Sequence, residues 1–370
     1  MSDAPRPLVV DADGHVIEPP QLWGQYLEPR FRRRAPRPQR DENGKFGYVV
    51  DDRFIMRVAS SLAARPKTED GRLPTGGFDP QQRLRDMDTE GIDVGVLYPT
   101  VSFFFPEIPD HELHAALCRA YNDWLADFCR ADPHRLVGIA LLPLDDVEAS
   151  IAELERAVAK LGFRGAFFRP NPYAGRPIQS PGYEPFWQCA ESLGVPITVH
   201  EGVSDTLPTL GRERTSNPAV LHLMSHPFEQ MAACAGLVLG GVLERHPKLR
   251  FVFLESGSGW LPYWLNRMDG HFDIWGAHLR ELRSKPSEYF LRQCFISMDP
   301  EDAVAPSVIA QLGDDNLVWA SDYPHIDSPF PGAVRQTLEV LAAVPEVSRR
   351  KVLGTNALRL YGIEAPPGPR

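Results

Sequence analysis

Eight short apolar runs, bounded by turn residues and separated by helix-like stretches, constrain this 370-residue chain more than any other feature. They are LVVDADGH (8–15), VGVLYPT (94–100), LVGIALLPL (136–144), GAFFRPN (165–171), PITVH (196–200), RFVFLES (250–256), CFISMDP (294–300) and NLVWASDYPH (316–325). Runs this rich in β-branched and aromatic residues suit strands buried on both faces. The intervening segments carry helix signals. DPQQRLRDMDTEGI has an Asp before its helical period and a Gly at its end, and residues 111–133 repeat Leu113, Leu117, Tyr121 and Leu125 before stopping at Asp132-Pro133. Eight strands alternating with helices imply a closed barrel or a doubly wound sheet. The first turn reads DADGH and is not glycine-rich, so we expect an α/β fold of the (β/α)8 TIM barrel type, one domain over 1–370. Residues 21–80 break the alternation. With FRRRAPRPQR followed by DENGKFGYVVDDRFIMRV they read as an insertion after the first strand, carrying a small hairpin, and the Pro-rich 363–370 as a loose tail.

Composition excludes several classes of partner. Apolar residues make up 43% and charged residues 24%, as in ordinary globular domains, and the net charge of −10 offers no basic footprint for nucleic acid or an anionic membrane. The five cysteines are widely spaced and contain no C-x-x-C pair, which argues against a disulfide framework or a zinc ribbon. MSDAPRPLVV lacks a charged segment leading into an apolar one, and no run of eighteen apolar residues occurs, so the expected location is cytoplasmic.

In such barrels chemistry gathers where strands end. Here the first strand ends in Asp13 and His15, the fourth in Arg169 and Asn171, and the fifth in His200 and Glu201. The sixth ends in Glu255, the seventh in Asp299, and the eighth in Ser321-Asp322-Tyr323-Pro324-His325. Strand alternation places Asp11, Asp13 and His15 on one face. Burying three such groups is costly without a partner, which is either a cation or the polar surroundings of an exposed strand end. Carboxylates and imidazoles from three strands suit one divalent ion, Zn2+ first and Mn2+ as the alternative, with Asp13, His15, His200 and Asp322 as its ligands. His325 is the candidate to orient a ligand. Arg169, with Asn171 beside it, either clamps a substrate carboxylate or makes an ion pair across the rim. Glu18 and Glu201 read as structural acids. The apolar VSFFFPEIP (101–109) lines a hydrophobic pocket for a small molecule or meets a second subunit; with the insertion, it leads us to expect a homodimer.

Four stretches in order carry a resemblance: D-A-D-G-H-V-I-E-P, T-V-H-E-G, H-P-K-L-R-F-V-F-L-E-S-G and A-S-D-Y-P-H. Together they resemble the amidohydrolase superfamily, in the branch that contains aminocarboxymuconate-semialdehyde decarboxylase and the dihydroxybenzoate decarboxylases. The resemblance runs from residue 8 to about 362. It implies a metal held at the positions of Asp13, His15, His200 and Asp322, with Asp13 standing where the branch has His or Glu. It also implies a proton-handling His after the sixth strand, where this chain has Glu255; the nearest other imidazole is His226, read as the start of the following helix. The resemblance implies a metal-dependent decarboxylase of an aromatic or unsaturated carboxylic acid. Replacing that His by Glu255 gives weight to a hydrolase acting on an amide, ester, lactone or activated C–C bond, and a non-catalytic binding barrel is a third reading.

Overall fold

The computed structural model describes residues 6–57, 75–202, 208–326 and 328–366. All eight apolar runs form parallel strands: β1 (Val10–His15), β5 (Val94–Tyr98), β6 (Leu136–Gly138), β7 (Ala166–Phe168), β8 (Ile197–Val199), β9 (Phe251–Phe253), β10 (Cys294–Met298) and β11 (Leu317–Trp319). Between β1 and β5 lie β2 (Arg37–Arg40), β3 (Phe46–Val50) and β4 (Arg53–Arg57).

The parallel strands are ordered β1-β5-β6 in one sheet and β11-β10-β9-β8-β7 in another. Backbone bonds link the two sheets at both ends. A parallel bridge pairs Ala140 with Ala166 beyond β6. At the other side, Asp322 N donates to Asp13 O at 2.9 Å and His15 N to Tyr323 O at 2.6 Å. Every residue of all eight parallel strands is buried, which is what near-continuous apolar runs demand.

Helices follow their sequence signals. Asp79 caps Pro80–Glu90 through Gln81 N and Gln82 N, and Gly91 ends it in the left-handed conformation. Asp110 and Asp146 cap His111–Cys129 and Val147–Leu161 in the same way.

The insertion forms an antiparallel three-stranded sheet, β2-β3-β4, where a hairpin was expected. Several of its arginines make ion pairs: Arg34 meets Asp51 and Asp110, and Arg30 meets Glu112. Residues 58–74 of the insertion and 367–370 of the tail lie outside the described residues. No described helix is long and apolar enough to cross a membrane.

Three expectations need correction. Asp11 does not share the face of Asp13 and His15, because the register of β1 on β5 shifts between Asp11 and Gly14. Asp11 instead takes Ser321 N at 2.9 Å and Ser321 Oγ at 2.6 Å, tying β1 to the end of β11. Phe103, Phe104 and Phe105 are 4%, 5% and 0% exposed, so they need no second subunit to cover them. The helix that carries His226 begins at Pro218, not beside His226, and runs through Pro227 to Leu239.

Candidate active site

Three strand ends bring their polar groups to one point. His15 and His200 are wholly buried and their rings meet edge to face, 5.1 Å between centroids. Backbone carbonyls fix the tautomer of each. His15 Nδ1 lies 2.7 Å from Pro99 O and His200 Nδ1 lies 2.6 Å from Glu201 O. A carbonyl only accepts, so both Nδ1 atoms carry a hydrogen, and in the neutral ring each Nε2 presents a lone pair.

Those lone pairs face carboxylates. His15 Nε2 is 3.4 Å from Asp13 Oδ1 and 3.1 Å from Asp322 Oδ1; His200 Nε2 is 3.1 Å from Asp13 Oδ2. Neither Nε2 atom and neither Asp13 oxygen makes a hydrogen bond. Leaving such groups buried and unpaired costs roughly 1–3 kcal/mol each, more where a charge is involved. A divalent cation removes the conflict. Ligand atoms about 2.1 Å from a common ion stand roughly 3–3.5 Å apart, the spacing seen here. Asp13, His15 and His200 therefore form a donor set that fits one divalent ion, and Asp322 adjoins it beside His15.

Electrostatics agree with that donor set. Burial alone would raise the Asp13 carboxyl, but His200 and His15 outweigh it and hold it well below the usual range. Burial likewise opposes a charge on His15, yet Asp13 and Glu255 raise its affinity for a proton. A field that draws a proton to this point draws a metal ion more strongly.

The surrounding residues hold these donors still. His325 Nδ1 lies 2.7 Å from Asp322 Oδ1, its Nε2 meets Thr100 Oγ1 at 3.0 Å, and its ring stacks on His15 at 4.0 Å. With both nitrogens engaged, it suits orienting Asp322 rather than ligation. Arg83 Nη2 donates to His15 O at 3.0 Å. Glu18 accepts from Val101 N at 3.0 Å and Ser102 N at 2.9 Å, which anchors the turn that places Phe103 against His200, 4.8 Å between ring centroids.

Asp322 and Glu255 are left-handed, with φ of 55° and 48°. Non-glycine residues adopt this conformation at a cost of roughly 1–2 kcal/mol, and the strain sits at two carboxylates aimed at this site.

Glu255 lies between two groups of imidazoles. Its Oε2 is 3.4 Å from His200 Nε2, and its Oε1 is 3.5 Å from His226 Nε2 and 3.8 Å from His222 Nε2. His222 escaped the sequence reading. The signal was present as H-x-x-x-H, but it becomes meaningful only once the helix extends back through Pro227.

Arg169 and Asn171 stand beside the centre and engage the protein itself. Arg169 donates from Nε to Asn171 Oδ1 at 3.0 Å, from Nη1 to Phe103 O at 3.3 Å and from Nη2 to Gly202 O at 2.6 Å, and it lies 3.5 Å from Glu201. These contacts fix the guanidinium beside the centre. Asn171 Nδ2 reaches Pro208 O at 2.9 Å.

Glu201 carries a measurable consequence. Burial pushes its carboxyl up to about 8, against the opposing pull of Arg169. The folded protein thus keeps a proton that the unfolded chain releases, and stability falls as pH rises from about 4.5 to about 8. Glu201→Gln is expected to remove that fall, on the order of a few kcal/mol. Its Tm should vary less between about pH 5 and pH 9 than that of the parent protein. Parallel Tm curves would contradict the assignment.

The family model described as Amidohydrolase matches residues 10–363. The chain belongs to the amidohydrolase family. Among curated relatives, it is 25% identical over 365 residues to 2-amino-3-carboxymuconate-6-semialdehyde decarboxylase of Dictyostelium discoideum, covering 97% of this chain and 93% of that one. It is 30% identical over 298 residues to gamma-resorcylate decarboxylase of Rhizobium radiobacter, covering 76% and 86%. Among solved structures, it superposes on a dihydroxybenzoic acid decarboxylase from Polaromonas sp. JS666 with a TM-score of 0.65 and 20% identity, covering 96% and 97%. That protein holds manganese and the inhibitor 2-nitroresorcinol; the likeness to it is one of fold.

Proposed function

We propose that this amidohydrolase-family enzyme is a metal-dependent decarboxylase of an aromatic or unsaturated carboxylic acid. The observation that carries the metal is the pair of tautomer-fixed, buried Nε2 lone pairs facing Asp13 and Asp322. The names of its relatives support the reaction. Asp13, His15, His200 and Asp322 are the proposed ligands, with His325 orienting Asp322 and with Arg169 and Asn171 as the substrate-binding pair at the rim. Zn2+ suits the mixed nitrogen and oxygen donors, and the manganese of the Polaromonas protein supports Mn2+ as the alternative.

When bound, a divalent cation supplies Lewis-acid charge that fixes and polarises substrate oxygens. The chain's own residues handle the rest. Loss of CO2 breaks a C–C bond and leaves its electron pair on carbon, which must take a proton. We assign delivery of that proton to Glu255, whose Oε2 lies 3.4 Å from His200 Nε2 with His226 behind it. Phe103 and Phe167, whose rings lie 4.8 Å apart, form an apolar wall beside His200 that keeps water from the reacting carbon.

The bonds linking the two parallel sheets support a closed eight-stranded barrel as the scaffold. We read the chain as one catalytic unit with 21–80 as an insertion and 363–370 as its tail. A homodimer is the proposed assembly, supported by the exposed Tyr263, Ile274 and Trp275 of the helix Leu261–Trp275. Cytoplasmic location stays part of the proposal on the sequence alone.

The test is a substrate panel offered to metal-loaded protein. CO2 release from hydroxybenzoates or carboxymuconate-type acids is the expected result. Cleavage of aryl amides or esters without CO2 release would replace the lyase by a hydrolase.

A further inference from the structure

We propose that His222, His226 and Glu255 form a second divalent-cation site, and that filling it inhibits the enzyme by engaging the carboxylate that delivers the proton. The inhibition rests on the role given to Glu255 above, whereas the binding does not.

His222 and His226 lie four residues apart on the helix Pro218–Leu239, so both rings project from one face. The rings stack with centroids 4.0 Å apart. Both Nε2 atoms converge on the same oxygen, Glu255 Oε1, and the three ligand atoms lie within 4.8 Å of one another. Two imidazoles at this helical spacing, completed by a carboxylate from another element, make a recurrent divalent-metal chelate.

The tautomer of His226 sharpens the case. Its Nδ1 lies 3.1 Å from both His222 O and Ser225 Oγ; donating to the carbonyl, a pure acceptor, puts the hydrogen on Nδ1. Its bare Nε2 thus faces a carboxylate oxygen at 3.5 Å, lone pair to lone pair. A shared cation turns that repulsion into two bonds.

Access and charge set the order of filling. His222 is 47% exposed, which opens this group to ions from solvent. The second group offers one carboxylate and the first offers two, so the first ion binds tighter. With Oε1 committed to a second ion, Glu255 cannot serve as a proton carrier.

The experiment titrates metal-stripped protein with Zn2+ alone, reading bound ions per chain and activity together. The parent should bind two ions in successive steps, with activity appearing at the first and falling at the second. His222→Leu, at a half-exposed position, should fold and retain activity at one equivalent. Its second step should weaken at least about tenfold, with inhibition shifting by the same factor. A parent that binds one ion only, or a variant whose second step is unchanged, overturns the site. Two ions bound without inhibition in a protein that does release CO2 overturn the inhibitory role. Ion counting is independent of turnover, so an inactive substrate panel leaves the binding result decisive.

Discussion

His200→Ala is expected to leave a folded protein that no longer loads its metal and shows no turnover above background. His200 gives one of two tautomer-fixed nitrogens at the centre, and its Nε2 stands 3.1 Å from Asp13. Removing it takes away a strong donor and frees Asp13 from the imidazole that holds its carboxyl low. Metal affinity should drop by roughly a hundredfold or more, beyond what loss of a mere supporting group costs. Stripping the parent with a chelator should reproduce the loss reversibly. It should also lower Tm, because an ion that binds only the folded state stabilises it. Full metal content in purified His200→Ala would refute this assignment.

Glu255→Gln separates proton handling from metal binding. Gln keeps the shape of Glu and removes its capacity to carry a proton. The variant should keep its fold and its first ion and lose turnover by roughly two orders of magnitude or more, the usual worth of a positioned acid–base group. Ser297 Oγ, which accepts from the Glu255 backbone at 3.2 Å, is untouched by the change and should hold the strand end in place. Retained turnover would transfer the proton role to His226. Loss of the first ion would make Glu255 a ligand, a result its 3.4 Å approach to His200 renders meaningful.

Much of the scaffold was legible because buried parallel strands leave short apolar runs, rich in β-branched and aromatic residues and bounded by turn residues. The convergence of Asp13, His15, His200 and Asp322 was legible for a related reason: parallel strands place their C-terminal residues on one rim. What escaped depended on local irregularity. The register shift in β1 separates Asp11 from Asp13, and no pattern of residue types announces it. Pro227 disguised the helix that carries His222, since proline ordinarily marks a helix start or stop. Glu18, read as a structural acid, is one: it anchors the turn that packs Phe103 onto the imidazoles, through backbone amides whose identity the sequence does not display.

The most direct test is anomalous diffraction from crystals of the protein loaded with one equivalent of Zn2+ or Mn2+. A single peak bonded to His15 Nε2, His200 Nε2, Asp13 and Asp322, at about 2.0–2.2 Å, is the expected result. A peak held only by His222 and His226, or none near His15, would contradict it.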